Sequence, residues 1–460
     1  MASPGRPSES RRPAPRARAH SRTLASAWLD RQRGGAATEW SSTLDTLDIA
    51  IVGYGTAGQA CAALLARDGH RVEVFERAAQ LGPVGAGLLL QPSGLSVLWE
   101  LGLLDGTLTH GRRVDRLYGD DHDGRLVMDM HYHDLDPRLF GVGIQRGALF
   151  ALLDTARHPG TPVHRDAAIV EIDVEAGRLR DGHGRRHGPF DLVVIADGAA
   201  SRLRTHIGKP QLDRPYPWGA LWCLCPADGW AEGGMLRQRY RLARRMIGML
   251  PVGTRPDDPG EKLSFFWSLP SADFERWAAA GLDAWREELR QLWPEADAQL
   301  GPIDDPGRLA RAQYRDAVLA RWFRGRAVLA GDAAHAMSPQ LGQGVNMALL
   351  DAQALRDALR ARDTLDAALS LYQQRRQAHV GIYHQWSRWL TPLFQSRADS
   401  IAWLRNRLFD PLGRIPPGSG LRLRVLSGLQ QGWLSRLGLA EGFFDALSAA
   451  AGAARSEHAV

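Results

Sequence analysis

The fold of this chain is constrained most strongly by an apolar run that ends in a glycine-rich turn. Residues 47–53, LDIAIVG, have the composition of a buried strand. Residues 54–66 continue with small side chains and with leucines at helical spacing, and residues 71–75 are predicted to be the next strand. A strand, a helix and a second strand in this order predict a βαβ unit, and therefore a parallel sheet.

The turn of this unit has the glycine spacing GxGxxG of a dinucleotide-binding loop. Glycine is required because a side chain would block the tight turn, the approach of a pyrophosphate and the packing of helix on strand. Glu76 follows the second strand, 23 residues after Gly53, where its carboxylate can accept hydrogen bonds from a ribose diol. The chain has 49 glycines, so the spacing alone is weak, but its placement predicts NAD or FAD without choosing between them. The residues expected to contact the dinucleotide are Gly53, Gly55, Thr56, Ala57, Gly58, Glu76 and Arg77.

A second glycine-rich stretch, residues 331–352, has the sequence GDAAHAMSPQLGQGVNMALLDA. It follows the apolar run 327–330, which is typical of a buried strand. The order is a strand, the acid Asp332, a loop that contains Pro339, and a helix that opens near Asn346. Such a helix start offers free backbone N–H groups at the positive end of a dipole. We therefore expect an electron-rich ligand there.

Two other segments place polar residues after apolar runs. Asp197 ends the run in residues 190–204, FDLVVIADGAASRLR, and Arg204 follows in the next turn. Arg146 stands just before a predicted helix in residues 143–153. Asp197 could simply cap a helix and Arg146 could be a surface cation, but several strand ends of this kind point to one ligand across the carboxyl edge of a parallel sheet.

From about residue 214 to 317 the pattern changes to short runs rich in Trp, Leu and Met. Residues 218–225, 238–242, 246–252 and 263–269 are predicted strands of a separate, largely antiparallel sheet, and residues 273–292 a helix. Such a sheet, laid over the nucleotide domain, would enclose a ligand cavity. Candidate walls, although each is individually more often ordinary core, are Trp222, Tyr240, Met249, Phe265 and Trp267.

The net charge of +6 does not indicate a nucleic-acid-binding surface, because residues 1–40 alone hold eight arginines against three acids. That segment is rich in Pro and Ser, so we predict a disordered extension; a transit peptide is the less favoured alternative. No apolar run reaches the roughly 18 residues of a bilayer span, and only three cysteines occur. We expect a cytoplasmic protein with no disulfide and no metal.

The C-terminal part is predicted to be helical, in residues 346–362 and 366–390 and in a basic amphipathic region, residues 386–439. That region is expected either to pack on the sheet or to contact an anionic membrane peripherally. The fold class expected is α/β: a Rossmann-like FAD-binding domain, a mostly antiparallel β-sheet substrate domain and C-terminal helices. The predicted boundaries are 1–45 for the extension, 46–115 with 140–213 and 319–362 for the FAD-binding domain, 116–139 with 214–318 for the substrate domain, and 363–460 for the helical region.

Taken together, these four motifs resemble those of the family A flavoprotein monooxygenases, the group of para-hydroxybenzoate hydroxylase and the ubiquinone-pathway hydroxylases. The resemblance covers residues 47–376. It implies that the FAD pyrophosphate lies on Gly53, Gly55 and Gly58, the adenosine ribose on Glu76, and the ribityl and phosphate part near Arg146, while Asp197 and Arg204 belong to a segment serving both FAD and NAD(P)H. It also implies that Asp332 binds the ribityl chain and that the flavin-positioning loop consists of Pro339, Gly342, Gln343, Gly344, Val345 and Asn346.

The reaction implied by the resemblance inserts one oxygen atom of O2 into a hydrophobic, aromatic-type substrate, as a hydroxylase or epoxidase. NADH or NADPH would reduce FAD transiently, and oxygen would then form a flavin C4a-hydroperoxide that attacks the substrate. No side chain need form a covalent intermediate, and His335, inside the motif, is expected to be structural.

Three other functions remain open from the sequence. A flavin-dependent halogenase needs a lysine, yet the only lysines are Lys209 and Lys262, and no WxWxIP sequence occurs. Another FAD oxidoreductase is less supported. A non-catalytic, FAD-bound subunit peripheral to a membrane is suggested by the arginine-rich C-terminal helices. Substrate identity, the choice of NADH or NADPH and the oligomeric state do not follow from the residues.

Overall fold

The computed structural model describes residues 44–82, 85–301, 303–414 and 418–457. The predicted disordered extension, residues 1–45, therefore lies almost wholly outside the described residues. Among the described helices, none combines the length and the apolar character that a bilayer span requires.

The strands are short in the nucleotide-binding part and long in the middle of the chain. In chain order they are β1 (Asp48–Val52), β2 (Arg71–Phe75), β3 (Gly87–Leu90), β4 (Arg112–Val114), β5 (Arg116–Asp121), β6 (Leu126–His131), β7 (Gly141–Gln145), β8 (Val163–His164), β9 (Ile169–Asp173), β10 (Arg178–Asp181), β11 (Arg186–His187), β12 (Leu192–Ile195), β13 (Leu212–Pro226), β14 (Met235–Arg241), β15 (Arg245–Arg255), β16 (Asp258–Pro270), β17 (Ala310–Val318), β18 (Phe323–Arg324), β19 (Ala327–Leu329), β20 (Gln430–Gln431) and β21 (Ser435–Arg436).

The helices include two long ones that follow the second glycine-rich stretch. In chain order they are α1 (Thr56–Arg67), α2 (Pro92–Glu100), α3 (Leu104–His110), α4 (Arg146–Thr155), α5 (Arg204–Ile207), α6 (Phe274–Leu292), α7 (Pro294–Gln299), α8 (Asp332–His335), α9 (Gly344–Arg360), α10 (Leu365–Phe394), α11 (Asp399–Arg414), α12 (Gly418–Leu426) and α13 (Glu441–Glu457).

A mostly parallel sheet has the strand order β18-β19-β12-β1-β2-β8. Strand β1 pairs in parallel with both β2 and β12, and β12 pairs in parallel with β19. The side chains Ile49, Ala50 and Ile51 are fully buried, as expected for a strand covered on both faces. The carboxyl ends of β19, β12 and β1 are therefore neighbours, and the three polar turns that follow them lie at one edge, as a βαβ-based sheet requires.

A larger sheet has the order β17-β13-β16-β15-β14-β5-β6 and is antiparallel except where β14 pairs with β5. Because side chains alternate along a strand, it has two different faces. One face packs on α6, where Trp285 contacts Phe265 and Trp267. The opposite face meets β3, since the backbone N–H of Gly87 donates to the Ser264 hydroxyl at 3.0 Å. This second face is called the inner face below.

The predicted α/β class, with its Rossmann-like part, antiparallel sheet and C-terminal helices, is confirmed. The strand predicted for residues 71–75 is β2, and the helix predicted for residues 366–390 extends to Phe394. The division into domains stays a prediction.

Candidate active site

The turn after β1 contains three glycines with different surroundings. A Cβ atom on Gly53 would lie 2.5 Å from the Ala196 carbonyl oxygen, and one on Gly58 would lie 2.0 Å from the Gly53 carbonyl oxygen. A Cβ atom on Gly55 would meet nothing within 4 Å. Two glycines thus allow close backbone packing, while Gly55 faces open space at the start of α1, where no side chain caps the backbone N–H groups. This is the surface that a pyrophosphate requires.

Glu76 is held at the end of β2 by backbone donors. Its Oε2 accepts from the N–H of Tyr54 at 2.7 Å, and its Oε1 accepts from the N–H of Ala78 at 2.9 Å. A carboxylate has about four acceptor sites, so two remain for a ribose diol. Arg77 is exposed beside it, and Thr56 is partly exposed at the first position of α1.

Three alanines bring the two glycine-rich stretches together. Ala57 of α1, Ala196 after β12 and Ala348 of α9 form one small buried cluster. A Cβ atom on Gly331 would lie 2.9 Å from the Cβ of Ala57, so the approach depends on small residues here. The turn after β1 and the turn after β19 consequently border the same space.

Asp332 stands exposed at the start of the short helix α8. A Cβ atom on Gly344, the first residue of α9, would lie 3.8 Å from the Asp332 Oδ1. Helix α9 has no side-chain cap, and Gly342 adopts a left-handed conformation with φ of 61° just before it. Pro339 begins a single 3-10 turn, Pro339–Leu341, and is half-buried. The acid and the uncapped helix start therefore face one ligand position.

The Asn346 side chain is not available to a ligand. Its Oδ1 accepts from the Gln91 N–H at 2.9 Å, and its Nδ2 donates to the Leu89 carbonyl at 3.3 Å, so it anchors β3. Gln343 donates to the Leu426 carbonyl at 2.7 Å, whereas its buried Oε1 has no hydrogen-bond partner among the described residues. Val345 is partly buried beside it. What this loop offers a ligand is mainly backbone N–H groups.

The buried carboxylate of Asp351 fixes the position of the turn that carries Asp332. Asp351 Oδ2 accepts from the Gly331 N–H at 2.7 Å and from His335 Nε2 at 2.6 Å, and its Oδ1 accepts from Arg376 Nε at 2.6 Å. Burial alone would raise the Asp351 pKa, but the charges of His335 and Arg376 outweigh it and lower the pKa to about 2. One ionised acid thus joins both ends of α8 to α9 and α10, which agrees with the structural role expected for His335.

Arg204 has a different role from the one its sequence position suggests. Its side chain is fully buried, and its Nη2 donates to the carbonyls of Ala199 at 2.6 Å and Asp332 at 3.3 Å. A guanidinium without exposed surface is not placed for direct contact with a cofactor. These hydrogen bonds indicate instead that Arg204 joins the turn after β12 to the turn after β19. Asp197 lies nearer the open edge, and burial raises its pKa.

Arg146 is exposed at the first position of α4, and its backbone N–H donates to the Ala86 carbonyl at 2.9 Å. A Cβ atom on Gly85 would lie 3.0 Å from its Cδ. Within the part of the chain that the structure describes, its guanidinium forms no ion pair. It is therefore available to an anionic group between the β3 loop and the large sheet.

The five predicted substrate walls divide between the two faces of the large sheet. Trp222 lies on the inner face, where its Nε1 donates to the Tyr314 hydroxyl at 3.0 Å and its ring lies 5.2 Å from that of Phe266. Tyr240 belongs to the same inner cluster. The other three pack on the α6 face and cannot share a cavity with Trp222, so this expectation is corrected for Met249, Phe265 and Trp267.

Other inner-face residues were missed by the sequence reasoning. Phe266 is the direct cross-strand partner of Trp222, and Tyr314 comes from the neighbouring strand β17. Leu390 and Phe394 reach this cluster from α10. Alternation along β16 could have separated Phe266 from Phe265, but only with the register known.

The donor set at the parallel edge fits FAD: an open glycine turn for a pyrophosphate, a carboxylate for a ribose, a second exposed acid and an uncapped helix start. Residues 46–387 match the protein family described as an FAD binding domain. The chain belongs to this FAD-binding family. A family match over most of the chain agrees with the geometry of the edge.

Members of the family and similar structures resemble the chain over most of its length. The 6-methylpretetramide 4-monooxygenase of Streptomyces rimosus is 31% identical over 391 residues, covering 80% of this chain and 85% of that protein. The 2-heptyl-3-hydroxy-4(1H)-quinolone synthase of Pseudomonas aeruginosa (strain UCBPP-PA14) is 28% identical over 405 residues, covering 83% and 98%. The solved tetrameric form of 2-methyl-3-hydroxypyridine-5-carboxylic acid oxygenase has a TM-score of 0.67 at 25% identity, covering 81% of this chain and 98% of that one.

These relatives confirm the prediction of an FAD-dependent monooxygenase, an oxidoreductase of the family A type. FAD binding follows from the family. The electron donor, the substrate and the roles of single residues are not given by family membership.

Proposed function

We propose that this monooxygenase hydroxylates or epoxidises an uncharged, hydrophobic aromatic substrate, with NADH or NADPH as the transient electron donor. The observation that carries the proposal is the aromatic inner face, Trp222, Phe266 and Tyr314, in the sheet that packs on the FAD-binding part through β3. FAD, when bound, supplies the redox chemistry by accepting hydride from a nicotinamide and activating O2.

The residues of the parallel edge would hold FAD in the following way. Gly55 and the first N–H groups of α1 would bind the pyrophosphate, and Glu76 the adenosine ribose. Asp332 would bind the ribityl chain, and Arg146 the adjoining phosphate region. Backbone N–H groups at the start of α9 would stabilise negative charge at the pyrimidine edge, because the helix end is positive and has no competing cap.

An uncharged substrate is proposed because of the side chains that share the face of Trp222. By strand alternation and register, those nearest it on β13 and β16 are Ala220, Leu224, Ser264, Phe266 and Ser268, and those on β17 are Ala310, Ala312, Tyr314 and Asp316. No residue nearest Trp222 on β13 and β16 is charged. Burial raises the pKa of the one acid on β17, Asp316, and its partner in register on β13 is the cation Arg214. A buried carboxylate on a substrate would need a cationic partner, and the residues nearest Trp222 supply none. Arg146, whose charge acts on Tyr314, is assigned to the FAD phosphate region.

The test compares a neutral alkyl-4-quinolone with the carboxylated heteroaromatic 6-hydroxynicotinate. The neutral compound should stimulate NADH or NADPH oxidation by the yellow protein and gain one oxygen atom by mass spectrometry. Stimulation by the carboxylate alone would contradict an uncharged substrate. Running both nicotinamides in parallel identifies the donor, and chlorinated product in the presence of chloride would favour the halogenase alternative.

Neighbouring residues on opposite faces provide the matched variants. Phe266→Leu should raise the KM for the substrate severalfold, because it removes part of the aromatic wall. Phe265→Leu, on the α6 face, should lower the unfolding temperature and leave the KM unchanged. Equal effects of the two variants on the KM would contradict the assignment of the inner face.

We also propose a cytoplasmic location with peripheral membrane contact through the C-terminal region. All three cysteines are free and buried, which suits a reducing compartment; they are Cys61, Cys223 and Cys225. Cell fractionation at low and high salt tests this: the protein should move from the membrane fraction to the soluble fraction as salt is raised.

A further inference from the structure

Exposed large apolar side chains are concentrated in one region of the C-terminal part. Among the described residues, seven such side chains are exposed, and Val170 is the only one that lies elsewhere. The other six are Trp389, Ile401, Trp403, Leu404, Trp433 and Leu434. Trp389 and Trp433 lie with their rings 5.8 Å apart, and Leu434 follows Trp433 in the chain. Exposed apolar groups in contact indicate an interaction surface, whereas single exposed ones need no explanation.

The most exposed pair stands on the β20–β21 hairpin, whose tip is residues 432–434. Trp433 is 59% exposed and Leu434 is 100% exposed. The buried Gln430 holds the tip from within, because its Nε2 donates to the carbonyls of Gly432 at 2.8 Å and Trp433 at 3.3 Å. Arg424 Nε in turn donates to the Gln430 Oε1 at 2.9 Å. The tip is therefore a fixed element that presents two large apolar side chains outward.

Helix α10 connects this tip with the inner face of the large sheet. The ring of Trp433 lies 5.8 Å from that of Trp389, which lies 5.6 Å from that of Trp386. The next turns of the same helix carry Leu390 and Phe394 into the inner cluster. Helix α10 thus carries Trp389 at the surface and, within the next turns, side chains that contribute to the proposed substrate wall.

The segment that carries the tip is rich in positive charge. Residues 386–440 contain eight arginines and two aspartates, and one of these acids, Asp399, is already paired with Arg244. Arg388, next to Trp389, and Arg436, in β21, are exposed. Tryptophan and leucine beside arginine suit a membrane interface, where the rings enter the headgroup region and the guanidinium groups meet lipid phosphates.

We propose that the hairpin tip and Trp389 insert into the headgroup region of an anionic bilayer. The surrounding arginines bind the lipid phosphates, and α10 is brought to the membrane surface, from which an apolar substrate is taken. The uptake of substrate rests on the proposed monooxygenase function, and the docking assigns the proposed peripheral membrane contact to particular residues. A lipid surface suits this region because positive charge and fixed apolar groups occur together, and because a bilayer would shield residues that no described part of the chain covers.

The test uses the full-length FAD-loaded protein and vesicles of phosphatidylcholine with or without phosphatidylglycerol. Wild type should co-sediment with the anionic vesicles at low salt, with a blue shift of tryptophan emission, and bind neutral vesicles at least about tenfold more weakly. The double variant Trp433→Ser/Leu434→Ser should lose about tenfold or more in affinity for the anionic vesicles. Val170→Ser, at a 50% exposed apolar residue on β9, is the matched control and should bind as wild type does.

Three outcomes would overturn the docking proposal: no binding by wild type, binding by the double variant equal to wild type, or equal losses in the double variant and in Val170→Ser. If the partner is instead a second copy of the chain, wild type should not bind vesicles and should form a concentration-dependent dimer by light scattering. The double variant should then be monomeric. Substrate-stimulated NAD(P)H oxidation without vesicles reports the proposed function separately. Loss of vesicle binding with intact NAD(P)H oxidation would contradict the docking, and the reverse result would contradict the proposed function.

Discussion

Replacing Arg376 by methionine should leave the Asp351 carboxylate buried without its guanidinium partner. Asp351 is fully buried and Arg376 nearly so, and breaking a buried ion pair from one side costs about 3–5 kcal/mol. The free energy of unfolding, measured with urea, should fall by that amount. Arg180→Met, at an exposed ion pair with Glu171, is the control and should leave the free energy unchanged.

Two double variants then separate stability from cofactor positioning. Asp351→Asn/Arg376→Met removes both charges but keeps an amide oxygen that can accept from the Gly331 N–H and from His335, so it should recover most of the stability and bind FAD with nearly the wild-type Kd. Asp351→Leu/Arg376→Met removes that acceptor and leaves two buried donors unsatisfied, which costs about 1–3 kcal/mol each. If half of the cost of one unsatisfied donor is lost from the binding of FAD at Asp332, the FAD Kd rises about twofold to tenfold.

The assay is the recovery of FAD fluorescence on dilution, which reports Kd without turnover. The comparison of the two double variants decides the matter, because both lack the ion pair and differ mainly in the acceptor for Gly331 and His335. Equal FAD affinities in the two would refute the claim that Asp351 positions the ribityl-binding turn, even if their stabilities differ.

Three other perturbations are predicted. Gly55→Val should give soluble, folded protein that no longer binds FAD, because its side chain points into the open space proposed for the pyrophosphate, whereas Gly58→Val should be insoluble because its Cβ would clash with the Gly53 carbonyl. Purification and flavin absorbance distinguish the two variants, and yellow Gly55→Val protein would contradict the placement. Asp332→Ala should fold normally, since the side chain is exposed, and should release FAD on gel filtration; full retention of flavin would remove Asp332 from the site. Burial lowers the pKa of His379 and His384 to about 3, below the unfolded value near 6.5, so the folded state resists protonation and stability should fall as pH drops from 7 to 5, by up to about 2 kcal/mol for each histidine. Urea unfolding at the two pH values measures this loss, and His384→Gln should reduce it; an unchanged pH dependence in that variant would contradict the assignment.

The parts of the fold that the sequence predicts well are those set by local backbone geometry. Gly53, Gly55 and Gly58 are separable from ordinary glycines because a strand and a helix flank them at fixed distances. Asp332 and the start of α9 are predictable for the same reason. The strand predicted at residues 71–75 agrees with β2, in which Val72, Val74 and Phe75 are buried.

What the sequence does not predict depends on contacts between distant elements. Phe265 and Phe266 are equally apolar, and only the register with β13 and the position of β3 show which of them faces the inner side. The burial of Arg204 depends on carbonyls from two different turns. The pairing of Asp351 with Arg376 joins two helices whose mutual packing leaves no periodic signal in either.

Alternation along β13 and β16 has a consequence for how this protein can change over evolution. Leu221 and Phe265 hold the sheet to α6, while their immediate neighbours Trp222 and Phe266 lie on the inner face, the proposed substrate wall. A substitution at an inner position therefore alters what the enzyme accepts and leaves the packing on α6 in place. Selection can act on substrate range and on thermal stability through adjacent codons, largely independently of each other.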